Sequence, residues 1–247
     1  DAGAGYRACA CDARRLADHD ALNAMTQQLD QIAFSVVDVQ RTERWFRDAF
    51  GFIPAGGTRA FRGWGARHVQ GLPGAASTCW WLVDRSEHFQ IELFQFEAPL
   101  ARLLPADFRP CDIGYSRVGF WVQDFDQTLA RLAALGTPPL TAPVGNAGKR
   151  RVCVRNPEGV FIEVMEDDPL RGRSRDARPA CGVAARSVTL SVPDLEKSKR
   201  FFMGALGMPE SKAALRRAEH EALWGLGGAT TRSVVLELRD ERRAMHE

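Results

Sequence analysis

The sequence predicts an α+β fold of paired βαβββ modules, whose strands form a cupped antiparallel sheet with the helices on its outer face. A short pattern occurs three times along the chain: alternating apolar and polar residues, an Asp, and then an amphipathic segment that ends near a Gly. Further strand-like segments follow the pattern, so each repeat is a supersecondary unit that needs a partner. The repeats begin with the segments Ile32–Phe52, Val118–Gly136 and Val188–Met208.

In the first repeat the sequence predicts a strand followed by a helix. Apolar and polar residues alternate with the period of a half-buried strand. Asp38 then stands at the expected N-cap of a helix, and Gly51 at its expected end. One face of the strand should therefore pack on the helix, while the other lines a concave surface. The helix-facing residues are Ile32 and Phe34, and the opposite face carries Gln31, Ala33 and Ser35.

A loop and two strands are predicted to complete each of the first two repeats. The loops are expected at Pro54–Gln70 in the first repeat and at Thr137–Gly148 in the second, where Pro and Gly are frequent. Helices on one face of such a sheet leave the other face free to form a cup. The predicted strands are Cys79–Val83 and Phe89–Phe96 in the first repeat, and Arg151–Val154 and Val160–Glu166 in the second.

The chain divides into four segments. Residues 1–27 show no clean helical or strand period and are expected to be an N-terminal extension, disordered or non-native, because Met25 resembles a natural start. Residues 28–168 are predicted to form a domain of two paired βαβββ modules. Residues 169–184 should be a linker, and residues 185–247 the third module.

The third module is expected to be shorter than the first. Its segment GLGGATTR, from Gly225, matches GLPGAAST, from Gly71, so Val234–Leu238 corresponds to the third strand of the first repeat. A fourth strand would then begin near Arg243, and the module would be truncated inside that strand. The alternative is a genuinely short module that pairs with another chain, which would give a homodimer through the third module.

Composition excludes several classes of function. The 33 basic and 31 acidic residues are interspersed, so no basic stripe indicates nucleic-acid binding. No apolar run is long enough for a membrane span, and we expect no membrane partner. The six cysteines are scattered without a CxxC pair, which favours free thiols in a reducing compartment. A cytoplasmic location is therefore expected, with a small molecule as the partner.

These segments resemble the vicinal oxygen chelate superfamily, which includes glyoxalase I, bleomycin-resistance proteins and extradiol dioxygenases. The strand–Asp–helix–Gly pattern and the ending NPEGVFIEV at Asn156–Val164 carry the resemblance. It implies that two modules pair around a cup-shaped site, with metal ligands from strands one and four of each. The positions that match are Gln31 and Glu92 in the first module, and Arg117 and Glu163 in the second. The implied cofactor is a divalent metal: Mg, Mn, Zn, Ni or Fe.

Arg117 departs from the ligand pattern, since the family places His there and a guanidinium offers no lone pair to a metal. Two mechanisms therefore stay open. In the first, Gln31, Glu92 and Glu163 bind a divalent ion that stabilises an enediolate, and one Glu moves a proton. In the second, Arg117 takes the place of the metal, and its fork pairs with Glu92 and Glu163.

The resemblance implies a glyoxalase-, bleomycin-resistance- or dioxygenase-like protein that binds a small oxygenated molecule in the cup between modules. The first mechanism would make it a lyase or isomerase. The alternative is a non-catalytic protein that sequesters a small molecule such as a drug, with Arg117 replacing the metal. The expected catalytic residues are Glu163 and Glu92, and the expected substrate contacts are Arg117, Trp121, Phe94 and Ser35.

Overall fold

The computed structural model describes residues 29–87, 89–171, 176–211, 222–237 and 245–246. Within these residues the chain forms nine strands and four helices, which confirms the α+β class. The strands form two sheets, each containing one or more parallel strand pairs as well as antiparallel ones. The predicted extension at residues 1–27 lies outside the described residues.

The first repeat forms the four-stranded sheet. Its elements are β1 (Gln31–Val36), α1 (Val39–Phe50), β2 (Ile53–Arg62), α2 (Gly63–Gln70), β3 (Ala76–Val83) and β4 (Gln90–Ala98). The strand order is β1-β4-β3-β2, with β1 parallel to β4. The predicted alternation of β1 is confirmed, because Ile32 and Phe34 are buried and Gln31, Ala33 and Ser35 are exposed.

The second and third repeats share the five-stranded sheet. Its order is β6-β7-β5-β8-β9, with β5 parallel to β7 and antiparallel to β8. The strand ladder of the second repeat is therefore continuous with that of the third repeat, and not with that of the first. The elements are β5 (Gly114–Val122), α3 (Phe125–Ala134), β6 (Arg151–Arg155), β7 (Phe161–Met165), β8 (Val183–Ser191), α4 (Leu195–Ala205) and β9 (Met245–His246).

The repeated Asp is the N-cap of the helix in all three repeats, as predicted. Its side chain accepts a hydrogen bond from the backbone N–H three residues later, which satisfies one of the open donors at the helix N-terminus. The donor–acceptor distances are 2.9 Å for Asp38, 3.0 Å for Asp124 and 2.9 Å for Asp194. Gly51 ends α1 with a φ of 82°, a left-handed conformation that glycine adopts without strain.

The loop predicted at Pro54–Gln70 is wrong, because this segment forms most of β2 and all of α2. Register shifts between Pro54 and Gly57 and between Thr58 and Phe61 interrupt the pairing of β2 with β3. Such irregularities allow Pro and Gly within a strand and hide its period in the sequence. In the second repeat the corresponding segment contributes only a single described bridge, between Val144 and Arg151.

A common core joins the first two repeats. The ring of Phe120, on β5, lies 5.4 Å from that of Phe50 and 5.2 Å from that of Phe52, both in edge-to-face geometry. Phe46 of α1 contacts the same ring at 6.1 Å. Edge-to-face pairs are the favoured aromatic arrangement, and they add to the stabilisation from burial. The first two repeats therefore pack together through their helix-facing sides.

Candidate functional site

A cavity of about 300 Å³ lies where the third repeat packs beside β5. Its walls come from β5, β8, α4 and the segment 224–236, so residues of both the second and third repeats are needed to form it. The lining contains apolar side chains, hydroxyl side chains and three cationic side chains. The lining residues that carry chemistry are Arg117, Thr189, Ser191, Ser198, Lys199, Trp224, Thr231, Arg232 and Ser233.

Arg117 is the most deeply buried cation of this cavity, with its side chain 4% exposed. Its guanidinium carbon lies 4.3 Å from the ring centroid of Trp224, a cation–π contact. On its other side, Arg117 Nε lies 3.8 Å from Glu163 Oε2. The stacked ring and the carboxylate hold the side chain in one place in the wall.

Glu163 is compensated by two guanidinium groups. It lies on β7, paired with Gly119 of β5, and its side chain is 6% exposed. Arg151 Nη1 donates a hydrogen bond of 3.0 Å to Glu163 Oε1, in addition to the contact with Arg117. A buried carboxylate requires such partners, because an uncompensated buried charge costs several kcal/mol, about 3–5 when one partner is removed.

Gly119 allows this close approach of the strands. A Cβ at this position would overlap Ser187 Oγ and lie 2.6 Å from Met165 Cε. Ser187 is the residue of β8 directly opposite Gly119. The absence of a side chain at Gly119 therefore allows the second and third repeats to approach closely beside Arg117 and Glu163.

The cavity is electropositive among the residues that the structure describes. Its described lining contains Arg117, Lys199 and Arg232 but no Asp or Glu. Lys199 Nζ lies 2.6 Å from Glu210 Oε2, and this hydrogen bond raises the pKa of Lys199 above its usual value. The ammonium group therefore stays protonated at neutral pH. The balance of charge and hydroxyl groups favours an anionic ligand that carries several oxygen atoms.

On the first sheet, Gln31 and Glu92 are in direct contact. Gln31 Nε2 donates a hydrogen bond of 2.9 Å to Glu92 Oε2, and Gln90 Nε2 donates to Gln31 Oε1 at 3.0 Å. Trp81 Nε1 and Cys79 Sγ donate to the second carboxylate oxygen at 3.0 Å and 3.1 Å. Burial, followed by the contact with Glu92, raises the pKa of the Cys79 thiol, so that thiol remains a donor.

The structure thus brings the four matched positions together in two pairs. Gln31 meets Glu92 on the first sheet, and Arg117 approaches Glu163 on the second. Both pairs have the same origin, since Ala33 lies opposite Glu92 and Gly119 opposite Glu163 in the two parallel ladders. In each ladder the Glu therefore pairs with the residue two positions after the matched residue of the first strand. The two pairs nevertheless belong to different sheets.

Ser35 and Gln31 line a neighbouring cavity of about 410 Å³ together with Arg117, whereas Phe94 and Trp121 lie outside the lining of both cavities. Ser35 is exposed on β1. The ring of Phe94 contacts those of Phe61 and Phe96, at 6.4 Å and 5.9 Å. Trp121 lies under the guanidinium of Arg85, 5.4 Å from its ring centroid. Their roles in binding stay predictions.

The donor groups around Glu163 do not fit a divalent metal. The guanidinium groups of Arg151 and Arg117 already lie beside its oxygens, and a third cation there would be repelled. Across the described ranges, no group of three or more His, Cys, Asp or Glu side chains converges in a way that could hold a metal ion. Gln31 and Glu92 supply only two of the ligand positions that the family resemblance implies.

Two residues of the site were not identified from the sequence. Arg151 begins β6, the strand next to β7. It stands two residues before Cys153, which pairs with Glu163, so strand alternation places Arg151 on the same face as Glu163 and could have identified it. Trp224 comes from a segment without helical or strand periodicity, and it reaches Arg117 only through the packing of the third repeat. No local pattern could have placed it.

Residues 30–154 match the family described as the glyoxalase/bleomycin resistance protein/dioxygenase superfamily. Among solved structures, glyoxalase I from Zea mays is similar over 89% of this chain and 66% of its own, with 18% identity and a TM-score of 0.54. A candidate dioxygenase from Bacillus subtilis is similar over 90% of this chain and 64% of its own, with 12% identity and a TM-score of 0.57. The chain thus spans slightly less than two thirds of each of these two proteins. None of the curated protein sequences matches it.

None of the described helices is long and apolar enough to cross a bilayer.

Proposed function

The chain belongs to the glyoxalase/bleomycin resistance protein/dioxygenase superfamily, and from this premise we propose that it binds a small, oxygen-rich anion in the cavity beside Arg117. The observation that carries the proposal is the position of Arg117. It lies where the family resemblance implies a metal ligand, and it offers a fixed cation in an electropositive wall. A planar guanidinium can bind two adjacent oxygens of one ligand, which a metal would otherwise chelate.

The size and lining of the cavity support a small ligand. About 300 Å³ is at the lower end of ordinary small-molecule sites, which combine apolar walls with a few polar groups. Here Phe202 and Trp224 provide apolar surface, while Thr189 and Ser198 provide hydroxyl groups. We therefore propose binding without a resident metal, in the manner of a protein that sequesters its ligand.

A second candidate is proton transfer of the lyase or isomerase type, and the contact between Gln31 and Glu92 favours it. This pair keeps the residue types that the resemblance implies, on a sheet face that is open among the described residues. Glu92 would act as the base. Because three side chains already donate to its oxygens, a substrate would have to displace one of them.

Ligand binding can be tested with phosphate, malonate and lactate as probes, by calorimetric titration of the purified chain. Arg117→Met removes the charge, replaces the guanidinium over Trp224 with an apolar side chain, and leaves Glu163 with Arg151. We expect the affinity for the best probe to fall by about tenfold or more, which is the usual scale for a charged hydrogen bond. Arg102→Met is the matched control, because Arg102 is exposed and lies outside this cavity.

Equal affinity in the two variants would contradict the role of Arg117. A stoichiometric divalent ion in protein purified without chelator would overturn metal-free binding. Turnover of a dicarbonyl substrate that is lost in Glu92→Gln, but kept in Arg117→Met, would favour the second candidate.

A further inference from the structure

We propose that a neutral, largely apolar small molecule with one polar group binds in a second cavity, which lies between the two sheets. This inter-sheet cavity has a volume of about 410 Å³, within the range of ordinary small-molecule sites. Its proposed ligand differs in class from the oxygen-rich anion proposed above, and the proposal does not depend on ligand binding beside Arg117. The apolar residues of its lining include Ile32, Phe34, Leu104, Val118, Val160 and Val188.

Both sheets contribute to the walls of the inter-sheet cavity. Ile32 and Phe34 lie on β1, whereas Val118 and Val188 lie on β5 and β8. All four belong to the common core, but they are not completely covered. Ile32 is 8% exposed and Val188 is 7% exposed, while Phe120 of the same core is 0% exposed. Apolar core surface is therefore left open to this cavity, and a ligand that covers it gains from the hydrophobic effect.

The charged groups that border the inter-sheet cavity interact elsewhere or lie in water. They are Arg102, Arg117 and Glu158. The carboxylate of Glu158 accepts hydrogen bonds of 2.6 Å and 3.0 Å from the first repeat, and the guanidinium of Arg117 stacks on a Trp ring of the other cavity. The side chain of Arg102 is exposed. A charged ligand would lose hydration here without gaining a buried partner, so the lining favours a neutral one.

The polar, uncharged side chains of the lining are exposed and mark the mouth of the inter-sheet cavity. Gln31 and Ser35 lie on the exposed face of β1, and Tyr115 is 61% exposed. Gln31 already donates to Glu92. Among the described residues, the hydroxyl of Ser35 has no hydrogen-bond partner, so it is suited to the single polar group of a ligand.

The inter-sheet cavity and the cavity beside Arg117 are separated by the ladder of β5 and β8. In that ladder Arg117 lies opposite Thr189, and Val118 lies opposite Val188. Successive residues of a strand point to opposite faces of a sheet. Accordingly, Thr189 lines only the cavity beside Arg117, whereas Val118 and Val188 line only the inter-sheet cavity, although Arg117 borders both. A ligand of one cavity should therefore not displace a ligand of the other.

Calorimetric titration of the full chain with naphthamide and naphthoate tests the proposal, because these probes share a ring system and a shape but only the second is charged. Leu104→Trp places a larger ring in the inter-sheet cavity. Leu103→Trp is the matched control, since Leu103 is 52% exposed and lies outside the lining. Val160→Phe fills the same cavity from the opposite side of the chain and serves if Leu104→Trp does not fold. Thermal unfolding checks the fold of each variant.

We expect naphthamide to bind the wild type at least about tenfold more tightly than naphthoate, because the interior offers no partner for a charge. Leu104→Trp and Val160→Phe should each weaken naphthamide binding by about tenfold, the scale of overpacking, and Leu103→Trp should not. Saturating phosphate should leave the affinity for naphthamide unchanged.

Three results would overturn the proposal. The first is a wild type that does not bind naphthamide, or that binds naphthoate equally well. The second is unchanged naphthamide affinity in the folded cavity-filling variants, which would place the ligand elsewhere. The third is displacement of naphthamide by phosphate, which would place it in the cavity beside Arg117. Failure of phosphate, malonate and lactate to bind would contradict only the function proposed above.

Discussion

Glu158, in the turn before β7, accepts a hydrogen bond of 2.6 Å from the hydroxyl of Thr42 in α1. Its carboxylate also accepts from the backbone N–H of Val37 and from Arg41, at 3.0 Å each. The Glu of the NPEG motif, which marked the family resemblance, therefore fastens the second repeat to the start of the first helix. It is 3% exposed, so these partners have little access to water as a substitute.

Replacing Glu158 with Ala should lower the free energy of unfolding by about 2–4 kcal/mol, because it leaves the partly buried N–H of Val37 and the buried hydroxyl of Thr42 without their acceptor. Urea denaturation followed by fluorescence measures the change. Glu196→Ala, an exposed Glu on α4, is the control and should change stability by less than about 0.5 kcal/mol. An equal loss of unfolding free energy in both variants would show that the hydrogen bonds of Glu158 do not specifically stabilise the contact between the two repeats.

Adding a methyl group at Gly119 should destabilise the sheet of the second and third repeats by about 1–3 kcal/mol, because no space exists between Ser187 and Met165. Gly119→Ala combined with Ser187→Gly should recover part of the loss. Gly204→Ala provides a control of opposite sign, since a Cβ there would meet nothing within 4 Å and helical Ala is favoured over Gly by about 0.5–1 kcal/mol. Thermal unfolding of Gly119→Ala, of the double variant and of Gly204→Ala measures these changes. It distinguishes steric overlap at Gly119 from a general effect of replacing Gly with Ala.

Acid should remove part of the stability through Glu166. Two side-chain hydrogen bonds from Arg150, together with one from its backbone N–H, lower the pKa of Glu166 to about 2. A depressed pKa stabilises the folded state above the unfolded value, near pH 4.3, and this contribution is lost as the pH falls towards about 2. In Glu166→Gln the unfolding free energy should therefore fall less steeply over that range than in the wild type. Urea denaturation of wild type and variant between pH 2 and 5 measures the two slopes, and equal slopes would contradict the role of Glu166.

Arg117→His tests whether the departure from the family pattern alone prevents metal binding. We expect no stoichiometric Mn²⁺ or Zn²⁺ in this variant, because Arg151 still donates to Glu163 and keeps a cation at the carboxylate. Metal analysis after dialysis against the ion gives the answer, with wild-type protein treated in parallel. One equivalent of tightly bound metal, together with dicarbonyl turnover, would identify a catalytic site that a single substitution had inactivated.

The family resemblance implies that Gln31, Glu92, Arg117 and Glu163 occupy matched positions, and strand alternation supports this assignment. Alternation places Gln31 and Glu92 on one face of adjacent strands, and the structure brings them to 2.9 Å. The same holds for the capping Asp residues, because a helix N-terminus is satisfied within four residues of chain. Such features depend on neighbours in sequence, so they can be predicted without knowledge of the fold.

The sequence by itself determined the α+β class, the three capped helices and the matched Gln31–Glu92 and Arg117–Glu163 positions. Only the tertiary structure decided that β5 bonds to β8, so that Arg117 is enclosed with Trp224 while Gln31 stays exposed. The physical reason is that strand edges carry the same backbone donors and acceptors in every repeat. Which edge meets which is therefore settled by packing between segments distant in sequence, such as Gly119 against Ser187.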